Sequence, residues 1–257
     1  MMSKDSLYGR LRQSPYLTGW RQREVLIVLG LALATIVTWR VPLVGWLLYP
    51  FQLYGTFVHE LSHGLAAIFT GGAFRRFVVN PDLSGTALSA GGIGWIVVSA
   101  GYVGSAIFGG ILTLLSASAV PARRVLVGLG IALGVLSLLF VRNLFGLGAG
   151  IVLAALLLLA GRRLRETWAD GLLLFLAVQM MLSALDSVFD LVQISAASGA
   201  IRTDAQIMAQ ATGIPAIAWA ALWSILSLGI LLVSLRLAYR RTPPPVLRDQ
   251  LAGQRPS

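Results

Sequence analysis

The sequence predicts an all-α polytopic membrane protein, a bundle of six to seven transmembrane helices with a small β hairpin after one helix. Of its 257 residues, 57% are hydrophobic and only 12% are charged, and the mean hydropathy is +0.81. A soluble domain would be about a quarter charged. Several apolar runs approach the roughly 20 residues that a helix needs to cross a bilayer. The arginines gather at the edges of these runs, as charges that orient spans do.

Seven apolar runs follow one another along the chain. They cover residues 25–39, 51–70, 91–119, 125–140, 144–159, 168–194 and 214–235. Both tails are rich in arginine, so we expect both termini in the cytoplasm and an even number of crossings. Seven runs conflict with an even number, so one run is re-entrant, fused with a neighbour or miscounted, and runs 25–39 and 91–119 are the two in doubt. Pro42 and Pro50 interrupt the stretch before the second run, so we expect its helix to begin near Phe51.

Two further features complete the predicted organisation. Glycines end the second run at Gly71-Gly72, as glycine often ends a helix. Residues 73–90 then hold two short extended segments around Asn80-Pro81-Asp82, which predicts the hairpin. Glycines of run 91–119, namely Gly91, Gly94, Gly101, Gly104, Gly109 and Gly110, are interpreted as sites of close helix packing. We divide the chain into a basic cytoplasmic tail (1–24), a transmembrane domain (25–237) and a disordered basic, proline-rich tail (238–257).

Composition also excludes some classes of function. The formal charge is +10, but basic and aromatic residues do not interleave in any soluble segment, so we expect no nucleic-acid partner. The expected surroundings are the lipid bilayer of a cell membrane, and the oligomeric state is left open. There is no cysteine, which excludes disulfides and thiolate metal ligands.

The strongest local signal is the motif His59-Glu60-Leu61-Ser62-His63, which contains both histidines of the chain. Four residues apart on a helix, the two imidazoles share a face and are spaced to bind one Zn²⁺. Glu60 is rotated by about 100° from His59, so it can approach a water on the metal without being a ligand. Zinc makes such a water acidic enough for a carboxylate to take its proton. Ionisable groups in an apolar run are costly and tend to mark function.

A catalytic zinc ion usually has three protein ligands. Because the chain has no further histidine and no cysteine, the third ligand must be a carboxylate. Asp186 and Asp190 lie in an apolar run, four apart on one helix face, so they are the candidates. Asp82, Asp170 and Asp204 fall in turns or at the edges of runs, where we interpret them as solvated or capping residues. The alternative for the acidic pair is a site for protons or cations in a transporter.

Together these segments resemble the M50 (site-2 protease) family of intramembrane zinc metallopeptidases, in its M50B-like bacterial subset. The matching segments are residues 57–67, 70–72, 84–86, 100–104, 109–110, 183–191, 203–205 and 212–216, with Pro81 and Trp219.

The resemblance implies Zn²⁺ bound by His59, His63 and an aspartate that best matches Asp190, with Glu60 as the catalytic residue. It departs from better-known members, which have Leu-Asp-Gly, because neither Asp186 nor Asp190 is followed by glycine. The implied function is hydrolysis of a peptide bond in a membrane-associated protein or peptide, in a multi-pass protein of the bacterial plasma membrane. The alternative is a non-catalytic metal-binding scaffold or cation carrier of the same fold.

Overall fold

The computed structural model describes residue 30 and residues 42–196 and 203–240. This part of the chain forms seven helices and one two-stranded sheet. In order, the elements are α1 (Pro42–Phe69), β1 (Ala73–Val79), β2 (Gly85–Ala90), α2 (Gly94–Ser116), α3 (Ala122–Phe140), α4 (Leu144–Arg163), α5 (Glu166–Ala196), α6 (Asp204–Thr212) and α7 (Ala216–Arg240). The tail 1–24, the run 25–39 apart from residue 30, and residues 241–257 lie outside the described residues, so the domain limits stay predictions.

The predicted all-α polytopic membrane fold is confirmed. Helices α2, α3, α4 and α7 are each long and apolar enough to cross a membrane. Many large apolar side chains on these helices point outward, among them Leu138, Leu156 and Ile225, and a surface of this kind suits lipid rather than water. Run 91–119, one of the two in doubt, is the long helix α2. Helices α1 and α5, of 28 and 31 residues, exceed the length of a span, but the number of crossings stays a prediction.

Helix α1 begins at Pro42, nine residues before the predicted start near Phe51. Proline is tolerated in the first turn of a helix, where its missing N–H has no partner to lose. Pro50 lies inside the helix, and membrane helices accept such a proline when neighbouring elements satisfy the freed backbone group. The predicted stop is confirmed, because α1 ends at Phe69 and Gly71 has a φ of +85°.

The predicted hairpin is confirmed as an antiparallel pair with Phe77 opposite Ala87. It folds back along α1 rather than away from it. The ring of Phe77 packs edge-on against Phe57 of α1, with centroids 5.8 Å apart. At the hairpin tip, the Thr56 hydroxyl donates to the Leu83 carbonyl oxygen at 2.9 Å. Strand β2 is therefore held beside the motif helix.

Helix α2 lies at the centre of the bundle and packs against α1, α5 and α7. Small residues permit this close packing. A side chain at Gly110 would collide with Ser234 of α7, and one at Gly130 of α3 would meet the backbone of α4. The close packing predicted for the glycines of run 91–119 is thus confirmed at Gly110, whereas a Cβ at Gly94 would meet nothing within 4 Å.

The segment between the last two apolar runs contains the short helix α6. Helix α6 begins with a capping box in which the Thr203 side chain accepts from the Gln206 backbone N–H and the Gln206 side chain accepts from the Thr203 N–H. It ends at Gly213, which has a φ of +75°. Ala205 and Met208 bury the helix against Trp223 of α7.

Candidate metal centre

The two histidines of α1 face each other across one helical turn. Their Nε2 atoms lie 3.0 Å apart, as the four-residue spacing predicts. His63 is buried, whereas His59 is partly exposed. Both Nε2 atoms therefore point into one small space at the junction of α1 and α2.

The third group in this space is Asp204, the first residue of α6. Its Oδ2 lies 3.0 Å from Nε2 of His59 and 3.3 Å from Nε2 of His63. In the described part of the chain, these three residues form a group whose ligand atoms are close enough to hold a metal ion. The capping box and the packing of α6 on α7 hold Asp204 in place.

The interpretation of Asp204 as a solvated or capping residue is wrong. Its carboxylate contacts both histidine rings, and the cap of α6 is supplied by the Thr203 side chain instead. Asp186 and Asp190 lie on α5, but their side chains fall outside the described residues. The assignment of Asp190 as third ligand therefore stays a prediction, while the described residues bring Asp204 to that position.

One hydrogen bond orients the ring of His63. Its Nδ1 lies 2.7 Å from the carbonyl oxygen of Val97 in α2. Because a carbonyl only accepts, Nδ1 carries the hydrogen, and Nε2 of the neutral ring presents its lone pair to His59 and Asp204. Metal-binding histidines are commonly held by such a bond on the other nitrogen.

Three electron-rich atoms this close together need a positive charge between them, either protons or a metal ion. Burial by itself would raise the pKa of Asp204, but the charge of a protonated His63 and the hydrogen bonds from both rings lower it well below its ordinary value. Asp204 is thus an anionic partner for whichever cation the site holds.

The donor set fits zinc. Two histidines and one carboxylate are a known ligand combination of catalytic zinc sites. Tetrahedral bonds of about 2.0–2.1 Å place ligand atoms about 3.3 Å apart, and the three separations here are 3.0, 3.0 and 3.3 Å. His59, His63 and Asp204 are therefore the residues that would hold the ion.

Glu60 is buried on the neighbouring face of α1, against strand β2. A side chain at Gly85 would collide with the Glu60 carboxylate, and the backbone N–H of Ala87 is a hydrogen-bond donor to it. Glu60 directly follows His59 on α1 and so borders the same site, but it is not one of the three residues whose ligand atoms converge.

Glycines of α2 leave the room that the site needs. A side chain at Gly101 would collide with the rings of both histidines, and one at Gly104 would meet Ser62. The sequence interpretation of Gly101 as a helix-packing residue missed its contact with the site, because the groups nearest its Cα are the rings of His59 and His63.

Two aromatic residues that the sequence did not single out line the site. The Tyr102 ring lies edge-on to His59, with centroids 4.6 Å apart, and stacks on Trp223 of α7 at 5.2 Å. This stack joins His59 to the same cluster that buries α6.

The fold and the site define a class: a helical membrane protein whose His-Glu motif helix and a distant aspartate bring three ligand atoms close enough together to hold a metal ion. The Peptidase M50B-like family model matches residues 28–234, most of the chain. The chain belongs to this family, which confirms the resemblance drawn from its motifs. Comparisons with curated proteins and with solved structures give no match.

Proposed function

We propose that this protein is an intramembrane zinc peptidase, in which His59, His63 and Asp204 bind Zn²⁺ and Glu60 is the catalytic base. The observation that carries the proposal is the convergence of three ligand atoms, mutually 3.0–3.3 Å apart, next to a buried glutamate. Membership of the M50B-like family supports it.

When bound, zinc supplies a Lewis acid that polarises a carbonyl oxygen and lets a water lose a proton near neutral pH. Glu60 accepts that proton on a carboxylate oxygen as the water oxygen bonds to the peptide carbon. Glu60 then donates the proton to the amine nitrogen as the C–N bond breaks. The Ala87 N–H orients the carboxylate for both transfers, and the lack of a side chain at Gly85 leaves the space that the carboxylate occupies.

Strand β2 offers a way to hold the substrate. In an antiparallel pair, alternate residues turn their N–H and C=O groups away from the partner strand. The register and the Asn80–Ser84 backbone bond assign Gly85 and Ala87 to this outward set. Because the Ala87 N–H is turned to Glu60, the groups left for a substrate are the Gly85 N–H and C=O and the Ala87 carbonyl oxygen. An extended segment of a membrane protein would pair with this edge and lie beside Glu60, a mode of recognition known as strand addition.

The substrate we propose is therefore a membrane-associated protein or peptide that presents an unwound segment at the depth of the site. The apolar outer faces of α2, α3, α4 and α7 support a place in a cell membrane, from which such a substrate would arrive through the lipid.

Cleavage by a Glu60→Gln variant tests the proposal. The glutamine side chain keeps the shape of the glutamate but does not take up a proton, so we expect full zinc content and a loss of cleavage of at least about a hundredfold. The probes are β-casein in detergent micelles and single-span peptides reconstituted with the protein. Glu166→Gln, a change at the exposed start of α5, is the matched control and retains activity.

Cleavage that survives Glu60→Gln would contradict the catalytic role. Wild-type protein that carries zinc and cleaves none of the probes would favour the alternative, a metal-binding scaffold of the same fold.

A further inference from the structure

The outer edge of β1 is closed by the three-residue link between α3 and α4. Phe77 forms a parallel bridge with Val141, and the Arg142 backbone N–H donates to the Phe77 carbonyl oxygen at 3.1 Å. The side chain of Asn143 then continues the pairing. Its Oδ1 accepts from the Val79 N–H at 3.2 Å, and its Nδ2 donates to the Val79 carbonyl oxygen at 2.7 Å.

Asn143 makes these bonds in place of its usual local role. It is the N-cap residue of α4, a position where asparagine ordinarily accepts from the backbone of its own helix. Here the side chain makes no capping bond. The side-chain amide of Asn143 offers β1 one acceptor and one donor, the same two groups that a residue of a third strand would offer through its backbone.

The space for this arrangement comes from Gly146. A Cβ at this position would lie 2.5 Å from Oδ1 of Asn143, too close for the amide to stay where it is. Two positions further along α4, a Cβ at Gly148 would meet nothing within 4 Å. The absence of a side chain at Gly146 thus leaves room on α4 for the amide of Asn143.

We propose that Asn143 is a positioning residue for catalysis: by closing the outer edge of β1, it fixes the hairpin so that β2 presents its other edge, which no strand covers in the described part of the chain, beside Glu60. The catalytic part of this inference rests on the proposed peptidase function. The hairpin touches Glu60 through Gly85 and Ala87, so a loosened hairpin disturbs substrate pairing first and the carboxylate second. The metal ligands lie on α1 and α6 and are not held by Asn143.

Asn143→Ser separates this role from helix capping. Serine is as good an N-cap as asparagine, but its side chain is too short to pair with both backbone groups of Val79. We expect hydrogen exchange at the Val79 amide to rise on the order of tenfold, the effect of losing one or two hydrogen bonds. Zinc content and melting temperature stay at wild-type values. kcat/KM for an extended peptide falls, mainly through a higher KM.

Gly146→Ala is an independent test, because its methyl group would displace the Asn143 amide while Asn143 itself is kept. We expect the same faster exchange at Val79 and the same higher KM. Gly148→Ala on the same helix and Asn80→Ser at the exposed hairpin tip are the controls, and both behave as wild type.

Unchanged exchange at Val79 in both Asn143→Ser and Gly146→Ala would overturn the inference. So would faster exchange with an unaltered KM in an active protein. If the wild-type protein cleaves no peptide, the proposed function fails, yet the exchange measurement still decides whether Asn143 holds the hairpin.

Discussion

At the scale of single residues, the site depends on its glycines, which have no side chain, as much as on its reactive side chains. Gly101 lies against both histidine rings, and Gly85 lies against the Glu60 carboxylate. Each glycine lets a neighbouring element approach the motif helix within van der Waals distance of a reactive group. Substitution at either position would therefore lower activity more than it lowers the stability of the fold.

Gly85→Ala tests this at the carboxylate. The added methyl group would overlap Glu60, so either the glutamate or β2 must move. We expect zinc to remain bound and kcat to fall at least about tenfold, since a catalytic group displaced by about 1 Å can cost a hundredfold. Gly128→Ala, where a Cβ would meet nothing within 4 Å, is the control. Wild-type kcat in Gly85→Ala would show that the contact with Glu60 is unimportant.

The residues of this site differ in how far sequence could identify them. His59, Glu60 and His63 are neighbours on one helix, so their geometry follows from helical spacing alone. Asp204 reaches His59 from 145 positions away, and no local pattern encodes that approach. The Thr203–Gln206 capping box was a readable signal for a helix start, but it indicates a helix rather than a ligand.

At the scale of elements, the short helix α6 has one evident purpose in the described structure, which is to carry Asp204 to the histidines. Only nine residues long, it would be marginal in isolation. Its capping box and the burial of Met208 against Trp223 compensate for this.

Thr203→Ala removes the side-chain acceptor of that capping box. A lost N-cap costs about 1 kcal/mol, and because zinc binding requires an ordered Asp204, part of this cost appears as weaker binding. We expect zinc affinity to fall by up to about fivefold, measured by competition with a chelating dye. Thr203→Ser keeps the hydroxyl and serves as the control. Equal affinity in all three proteins would mean that the cap does not support the ligand.

The elements themselves were predictable where one physical signal dominates. Long apolar runs predicted the helices, and a turn between short extended segments predicted the hairpin. The start of α1 was missed because Pro42 and Pro50 were interpreted as interruptions, although one lies in the first turn and the other inside the helix. The closure of β1 by Asn143 depends on tertiary contact between distant segments, which composition does not report.

At the scale of the whole molecule, four elements meet at one centre: three of them are consecutive in the chain, and the fourth, α6, comes from far along it. Helix α1 brings the histidines and Glu60, α2 brings the Val97 carbonyl and Gly101, the hairpin brings Gly85 and Ala87, and α6 brings Asp204. The bundle thus places polar groups inside an apolar body and satisfies them mutually, as buried polar groups require. Sequence predicted this body and two of the three described ligands.

The central claim is that His59, His63 and Asp204 together bind one zinc ion. The most direct test is the zinc content of the purified protein and of Asp204→Ala, with Asp190→Ala and Asp186→Ala as matched controls. All are Asp-to-Ala changes in the same chain, measured by elemental analysis after dialysis against a weak chelator. We expect about one zinc per chain in wild type and in both controls, and little in Asp204→Ala. Full zinc in Asp204→Ala, with loss in Asp190→Ala, would contradict Asp204 as the third ligand and restore the ligand predicted from sequence.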